Sequence, residues 1–191
     1  MRAVLTVVAA LVVSVGAGGC HASSAPEPTT SSSPGAMSAA SPGDVTFLEN
    51  MVVHHQQALE LTVMVRGQST DPQLVMLADQ IGAQQRTQLQ GCQAQLLQWE
   101  VPGGRADGPQ DKLDIPGMAD QATMDKLRGL RGPEFDMLWL QTMIAHHRGA
   151  ITMARNEIEQ GQSPEAISIA RSLAPLQQAE IDQMNRLLGA P

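Results

Sequence analysis

The sequence predicts an all-α protein: a four-helix bundle built from a duplicated helical hairpin with a long crossover. Three observations carry this. Hydrophobic residues make up 42% of the 191, yet aromatics are only 2%, with two Phe, two Trp and no Tyr. Strands of sandwiches and barrels favour aromatic and β-branched residues, so an all-β fold is disfavoured. The chain also repeats itself in register at an offset of 92 residues. Finally, the repeated stretch carries apolar and histidine positions at alternating steps of four and three, the seam of one helix face.

The repeat lays Asp44-x-x-Phe47-Leu48-x-x-Met51-Val52-x-His54-His55-x-x-Ala58-Leu59-x-Leu61 over Asp136-x-x-Trp139-Leu140-x-x-Met143-Ile144-x-His146-His147-x-x-Ala150-Ile151-x-Met153. Without a gap it continues to Asp71-Pro72 over Ser163-Pro164, Ile81 over Leu173, Gln85 over Gln177 and Cys92 over Met184. A series of this length marks a duplication.

Taken in order, Arg2 followed by the uncharged run Ala3 to Gly19 reads as an export signal, too short to span a bilayer comfortably. It ends at Ala17-Gly18-Gly19-Cys20, which resembles a bacterial lipobox with Cys20 as the lipidated residue. The alternative is an ordinary secretory signal cut nearby. The expected location is the cell envelope, lipid-anchored on the outer side of the cytoplasmic membrane, with residues 1–19 as signal peptide. Residues 20–43, dominated by Ser, Ala, Pro, Thr and Gly, read as a disordered tether. The folded domain is expected over 44–191, with repeats at about 44–100 and 136–191 and a link at 101–135.

Within each repeat the reading is helix, turn, helix. First helices are expected near 44–67 and 134–161, with Asp44 and Asp136 near their N-termini, where a carboxylate caps free N–H groups and meets the positive end of the dipole. Second helices are expected near 72–99 and 164–188, each opened by an N-cap residue followed by proline. Pro175 falls inside the last and is expected to kink it. The Gly- and Pro-rich link holds one short helical stretch, about Asp120 to Leu130. A long crossover between two hairpins is the connection of ferritin-like bundles. It would make the first and third bundle helices neighbours or diagonal partners and bring both His pairs to one level.

His54 and His146 sit in the seam, and His55 and His147 lie about 100° further round. Met51 and Met143 precede the seam histidines by one turn, and Gln85 and Gln177 fall at the same level on the second helices. Four imidazoles in one core layer need hydrogen bonds, water or a metal. Imidazole is the commonest protein metal ligand and thioether selects soft ions, so His with Met favours a copper ion, Cu(I) above all, over zinc, calcium or magnesium. A carboxylate-bridged di-iron centre is disfavoured, because no Glu stands three residues before any of these histidines, and Glu180 is the one seam carboxylate. The competing reading is a structural hydrogen-bonding layer with methionine as filler.

The remaining composition excludes more than it assigns. A net charge of −7 with 12 Lys+Arg lacks a nucleic-acid footprint. There is no Gly-rich phosphate loop, nucleophile elbow or Cys-x-x-Cys, and nothing calls for an organic cofactor or a catalytic residue. The functions left open are metal sequestration or handover, a structural or partner-binding bundle, and a ferritin-like metal-ion oxidase.

The motif D-x-x-F-L-x-x-M-[VI]-x-H-H-x-x-A-[IL], present twice in one exported chain with Trp139 at the Phe position of the second copy, resembles the bacterial family called domain of unknown function 305, whose CopM-like members are periplasmic copper-binding proteins. Gly117-Met118 through Met124, Leu127 and Glu134-Phe135-Asp136 are similar to that family's link. The resemblance covers about Asp44 to Leu188 and implies a ferritin-like four-helix bundle. By analogy with the copper-binding members it implies copper held by Met51, His54, His55, Met143, His146 and His147. The chain departs from the family pattern at Cys92, where Met is usual, and at Gln88, where Glu is usual.

Overall fold

A computed structural model describes residues 40–101 and 114–189. The proposed signal peptide, most of the proposed tether and Cys20 lie outside the described residues. Five helices follow in order: α1 (Pro42–Gln68), α2 (Pro72–Gln98), α3 (Gln121–Gly129), α4 (Gly132–Gln160) and α5 (Pro164–Leu187). Among the described residues there is no strand, and no helix is long and apolar enough to cross a membrane.

Local chemistry sets the boundaries. α1 begins two residues before Asp44, because Ser41 is its N-cap and Pro42 its first residue. The Ser41 hydroxyl accepts from the Asp44 N–H and the Asp44 carboxylate accepts from the Ser41 N–H at 2.7 Å, a reciprocal capping box. Pro42 and Gly43, read as tether from the sequence, are therefore the first turn of a helix. α2 and α5 start as expected, on Asp71-Pro72 and Ser163-Pro164, with the Asp71 and Ser163 side chains accepting from Gln73 and Ala166 N–H groups. α3 is capped by Asp120. α4 starts on Gly132-Pro133 without any side-chain cap. Asp136 therefore lies in its second turn and caps nothing, contrary to expectation. α5 continues on both sides of Pro175.

α1 packs on α2 and α4 on α5, and the hairpins meet through α1 against α4 and α2 against α5. The two first helices are thus neighbours and not diagonal partners. Trp139 at the start of α4 donates its indole N–H to the Leu61 carbonyl near the end of α1, at 2.8 Å. Asp44 at the start of α1 reaches the turn after α4, accepting from the N–H of Gln162 and Ser163. The pair therefore runs antiparallel.

The core divides into two apolar clusters. One gathers Leu61, Leu74, Ile81, Leu127, Trp139 and Met143, with Ile181 and Met184. The other gathers Phe47, Met51, Cys92, Ala150, Ala170 and Leu173. On α2 the stretch between Ile81 and Cys92, and on α5 that between Leu173 and Ile181, place Gln85, Gln177 and Glu180 between the clusters. His54 and His146 fall at the same level on α1 and α4. A polar layer crosses the middle of the bundle, with a contribution from every long helix.

Candidate metal centre

All four imidazoles of the paired histidines are fully buried, at 0% exposure. His54 and His146 lie face to face across the α1–α4 interface, with ring centroids 3.6 Å apart and planes 32° from parallel. Each has its neighbour at 6.3 Å, His55 beside His54 and His147 beside His146. The sequence expectation that the two pairs converge inside the bundle holds.

The link closes over this layer. Gln57 on α1 donates to the Ala119 carbonyl at 2.9 Å and accepts from the Ala119 N–H at 2.8 Å. On the α4 side, Gly149 meets the backbone of Pro116 and Gly117 so closely that a Cβ there would collide with the Pro116 carbonyl. Gly117 has φ of +82°, and a Cβ on it would lie 2.7 Å from the Ala145 carbonyl oxygen. Two glycines thus let the link at Pro116 and Gly117 lie directly against the α4 backbone at residues 145–149, where the second histidine pair sits. Sequence reasoning missed this roof. The available signal was that positions 57 and 149, related by the offset of 92, are Gln and Gly.

Hydrogen bonding in the layer is incomplete. His147 Nε2 pairs with Glu180 Oε2 at 2.8 Å, with both side chains buried. The other seven ring nitrogens, both on His54, His55 and His146 and Nδ1 on His147, are buried without a partner. Gln85 is likewise unpartnered at both amide atoms, and Gln177 turns to Gln88, donating to its Oε1 at 3.2 Å, and not to a ring. Glu180, noted in the sequence as the one seam carboxylate but given no role, proves to be the direct partner of a histidine.

Burial favours the neutral form of three of these rings, those of His54, His55 and His146. It lowers His54 to about 3, helped by the neighbouring His55 and His147, while the Pro116 and His146 carbonyls act in the opposite sense. It lowers His55 to about 4, partly offset by the Gln85 amide. His146 falls well below the ordinary imidazole value through burial and through the repulsion that protonated neighbours among His54, His147 and His55 would exert, with the His54 carbonyl acting in the opposite sense. Neutral imidazole is the form that ligates a metal.

The methionines flank the layer. Met51 belongs to the cluster of Phe47 and Ala150, and Met143 to that of Leu61 and Trp139, both fully buried. Because α1 and α4 are antiparallel, one turn before each seam histidine points to opposite sides of the layer. Cys92 packs with Phe47, two turns away, and burial pushes its thiol up to about 12, so it is an inert core thiol. Among the described residues, no three His, Cys, Asp or Glu side chains form a ready-made cation site. The layer assembles donors without yet arranging them around one point.

The fold and the layer together define a class: an antiparallel helical bundle with a buried, under-bonded imidazole layer at its centre. The chain belongs to the DUF305 family, domain of unknown function 305, whose pattern matches residues 44–188. It is similar to a DUF305 protein from Streptomyces coelicolor thought to be secreted, at 35% identity over 78% of this chain and 93% of that one, with a TM-score of 0.69. A DUF305 fragment from Deinococcus radiodurans matches at 32% identity over 78% and 97%, with a TM-score of 0.71. CopM in its Cu(I)-bound form matches at 26% identity over 75% and 94%, with a TM-score of 0.62. CopM is also known in Cu(II)-bound and silver-bound forms. No curated protein matches the chain.

Proposed function

We propose that this chain is a copper-binding protein of the cell envelope, acting in copper sequestration or handover, with the imidazoles of His54, His55, His146 and His147 as the principal donors. The observation that carries this reading is the set of seven buried ring nitrogens without partners. Each unsatisfied buried polar group costs roughly 1–3 kcal/mol. A cation bound in the folded layer would take the lone pair of one nitrogen per ring, at most four of the seven, and neutral imidazole is a good ligand for copper. The copper- and silver-bound forms of CopM support the choice of metal. Met51 and Met143 would supply thioethers from either side of the layer. Lipidation at Cys20 would hold the protein at the outer face of the cytoplasmic membrane, and the Streptomyces relative supports export.

A second reading has its own observation. The stacking of His54 on His146 at 3.6 Å is a packing contact, and it fits a layer that only specifies how the hairpins meet. The oxidase reading is weaker, because Glu180 is the one acidic side chain among the described residues of the layer. Anaerobic titration of the whole chain with Cu(I) against a competing chelator separates the first two. Tight binding that is lost in His54→Ala/His146→Ala is expected. Equally weak binding by both proteins would leave only the structural layer.

A further inference from the structure

We propose that Glu180 is a positioning residue that commits His147 to bind a soft cation through Nδ1, which makes the two histidine pairs chemically unequal. This rests on the metal reading above. It starts from a difference between the repeats: position 180 is Glu, and its equivalent 92 residues earlier is Gln88.

The Glu180 carboxylate lies 2.8 Å from His147 Nε2, in a site where both side chains are almost wholly buried. A carboxylate only accepts hydrogen bonds, so the ring proton belongs on Nε2 and the lone pair on Nδ1. That Nδ1 is buried and has no partner, so it is free to serve as a ligand. Glu180 Oε1 has no partner either, so no competing hydrogen bond turns the carboxylate away from the ring.

None of the other three rings has such an arrangement. No carboxylate hydrogen-bonds to a ring nitrogen of His54, His55 or His146. Gln88, at the place equivalent to Glu180, has its Oε1 occupied by the Gln177 amide. The side chain that bears on His55 is Gln85, another amide, which can donate or accept and so selects no tautomer. A carboxylate behind an imidazole also raises its basicity as a ligand, an effect whose loss typically weakens metal affinity 10- to 100-fold.

The test is ¹⁵N NMR of the histidine rings in the whole chain, first without metal and then with Ag(I) as a redox-silent probe. In the wild type His147 is expected as a single Nε2–H tautomer, with Ag(I) shifting Nδ1 and leaving Nε2 protonated. Glu180→Gln is expected to lose the single tautomer and to bind Ag(I) 10- to 100-fold more weakly. Gln88→Glu is expected to give His55 the same signature that His147 has in the wild type. A wild-type His147 protonated on Nδ1, or Ag(I) bound at Nε2, would overturn the proposal without any variant being needed. Unchanged tautomer and affinity in Glu180→Gln would remove the positioning role and leave the metal reading intact. A wild type that shows the tautomer but takes up neither Ag(I) nor Cu(I) would remove the metal reading, and the arrangement would then serve packing alone.

Discussion

Gly149 shows how much a single missing side chain can decide. Its equivalent in the first repeat is Gln57, and both touch the same short stretch of link, one by hydrogen bonds and the other by bare backbone contact. Gly149→Ala would drive a Cβ into the Pro116 carbonyl, so one of two backbones must move. Overpacking of this kind costs roughly 1–3 kcal/mol. For a domain of this size that lowers Tm by roughly 2–4 °C per kcal/mol, which differential scanning calorimetry would read. A melting point unchanged from wild type would show that the link is not seated on α4. Residue by residue, the sequence made the four histidines and their convergence legible, because in-register repetition on one helix face is visible without coordinates. The same repetition concealed what breaks it. Asp44 and Asp136 are identical in sequence and unequal in structure, since α4 starts at Gly132-Pro133 and leaves Asp136 a turn too deep to cap it. Glu180 and Gln88, and Gly149 and Gln57, carry their roles in their difference, and which neighbour each one meets follows from side-chain reach across helices that no periodicity records.

Among the elements, the junction of α1 with the α4–α5 turn has the sharpest electrostatics. Burial alone would push the Asp44 carboxyl up. The N–H groups of Gln162, Ser163 and Ser41 and the Ser41 hydroxyl outweigh it and hold Asp44 down at about 2. One carboxylate thereby ties the start of the first hairpin to the turn of the second. Glu157 stands beside it at the end of α4. Burial, then its hydrogen bond to Asp44 and that residue's negative charge, push Glu157 up to about 7. The folded state therefore keeps a proton between pH 4.5 and 7 that the unfolded chain has released, and stability from this group falls as pH rises through that window. Glu157→Gln is expected to match the wild type near pH 4.5 and to become progressively more stable than it up to pH 7, with a constant difference above. Urea midpoints of the two proteins measured from pH 4.5 to 8.5 would show it, and a difference independent of pH would contradict it. At this scale the sequence was a good guide to the helices themselves, since N-cap–proline pairs and the link helix lie where expected. It did not reveal the first turn of α1, because Ser41-Pro42-Gly43 has the composition of the tether that precedes it.

For the whole molecule, the buried histidine layer sets the response to acid. His54, His55 and His146 are all held below the ordinary imidazole value, so between about pH 6.5 and 4 the unfolded chain binds protons that the folded protein refuses. Stability from these groups is complete above pH 6.5 and is lost as pH falls, and three histidines outweigh the opposite slope of Glu157. Denaturant midpoints of the metal-free protein should drop steeply below pH 6.5. At pH 7.5, Cu(I) at 100 times its dissociation constant should add about 2.7 kcal/mol. A stability flat from pH 7 to 5 would mean that the rings are not buried as described. The division of the core into two apolar clusters with a polar belt between them has a kinetic corollary. Every ring is buried, and alongside them runs a strap that Gln57 grips on one flank and Gly149 accommodates on the other. In the copper-binding reading, loading and unloading would call for a backbone fluctuation that opens the layer, and loosening of the strap would be one such route, so residence time would depend on how the cover is fastened as well as on what lies under it.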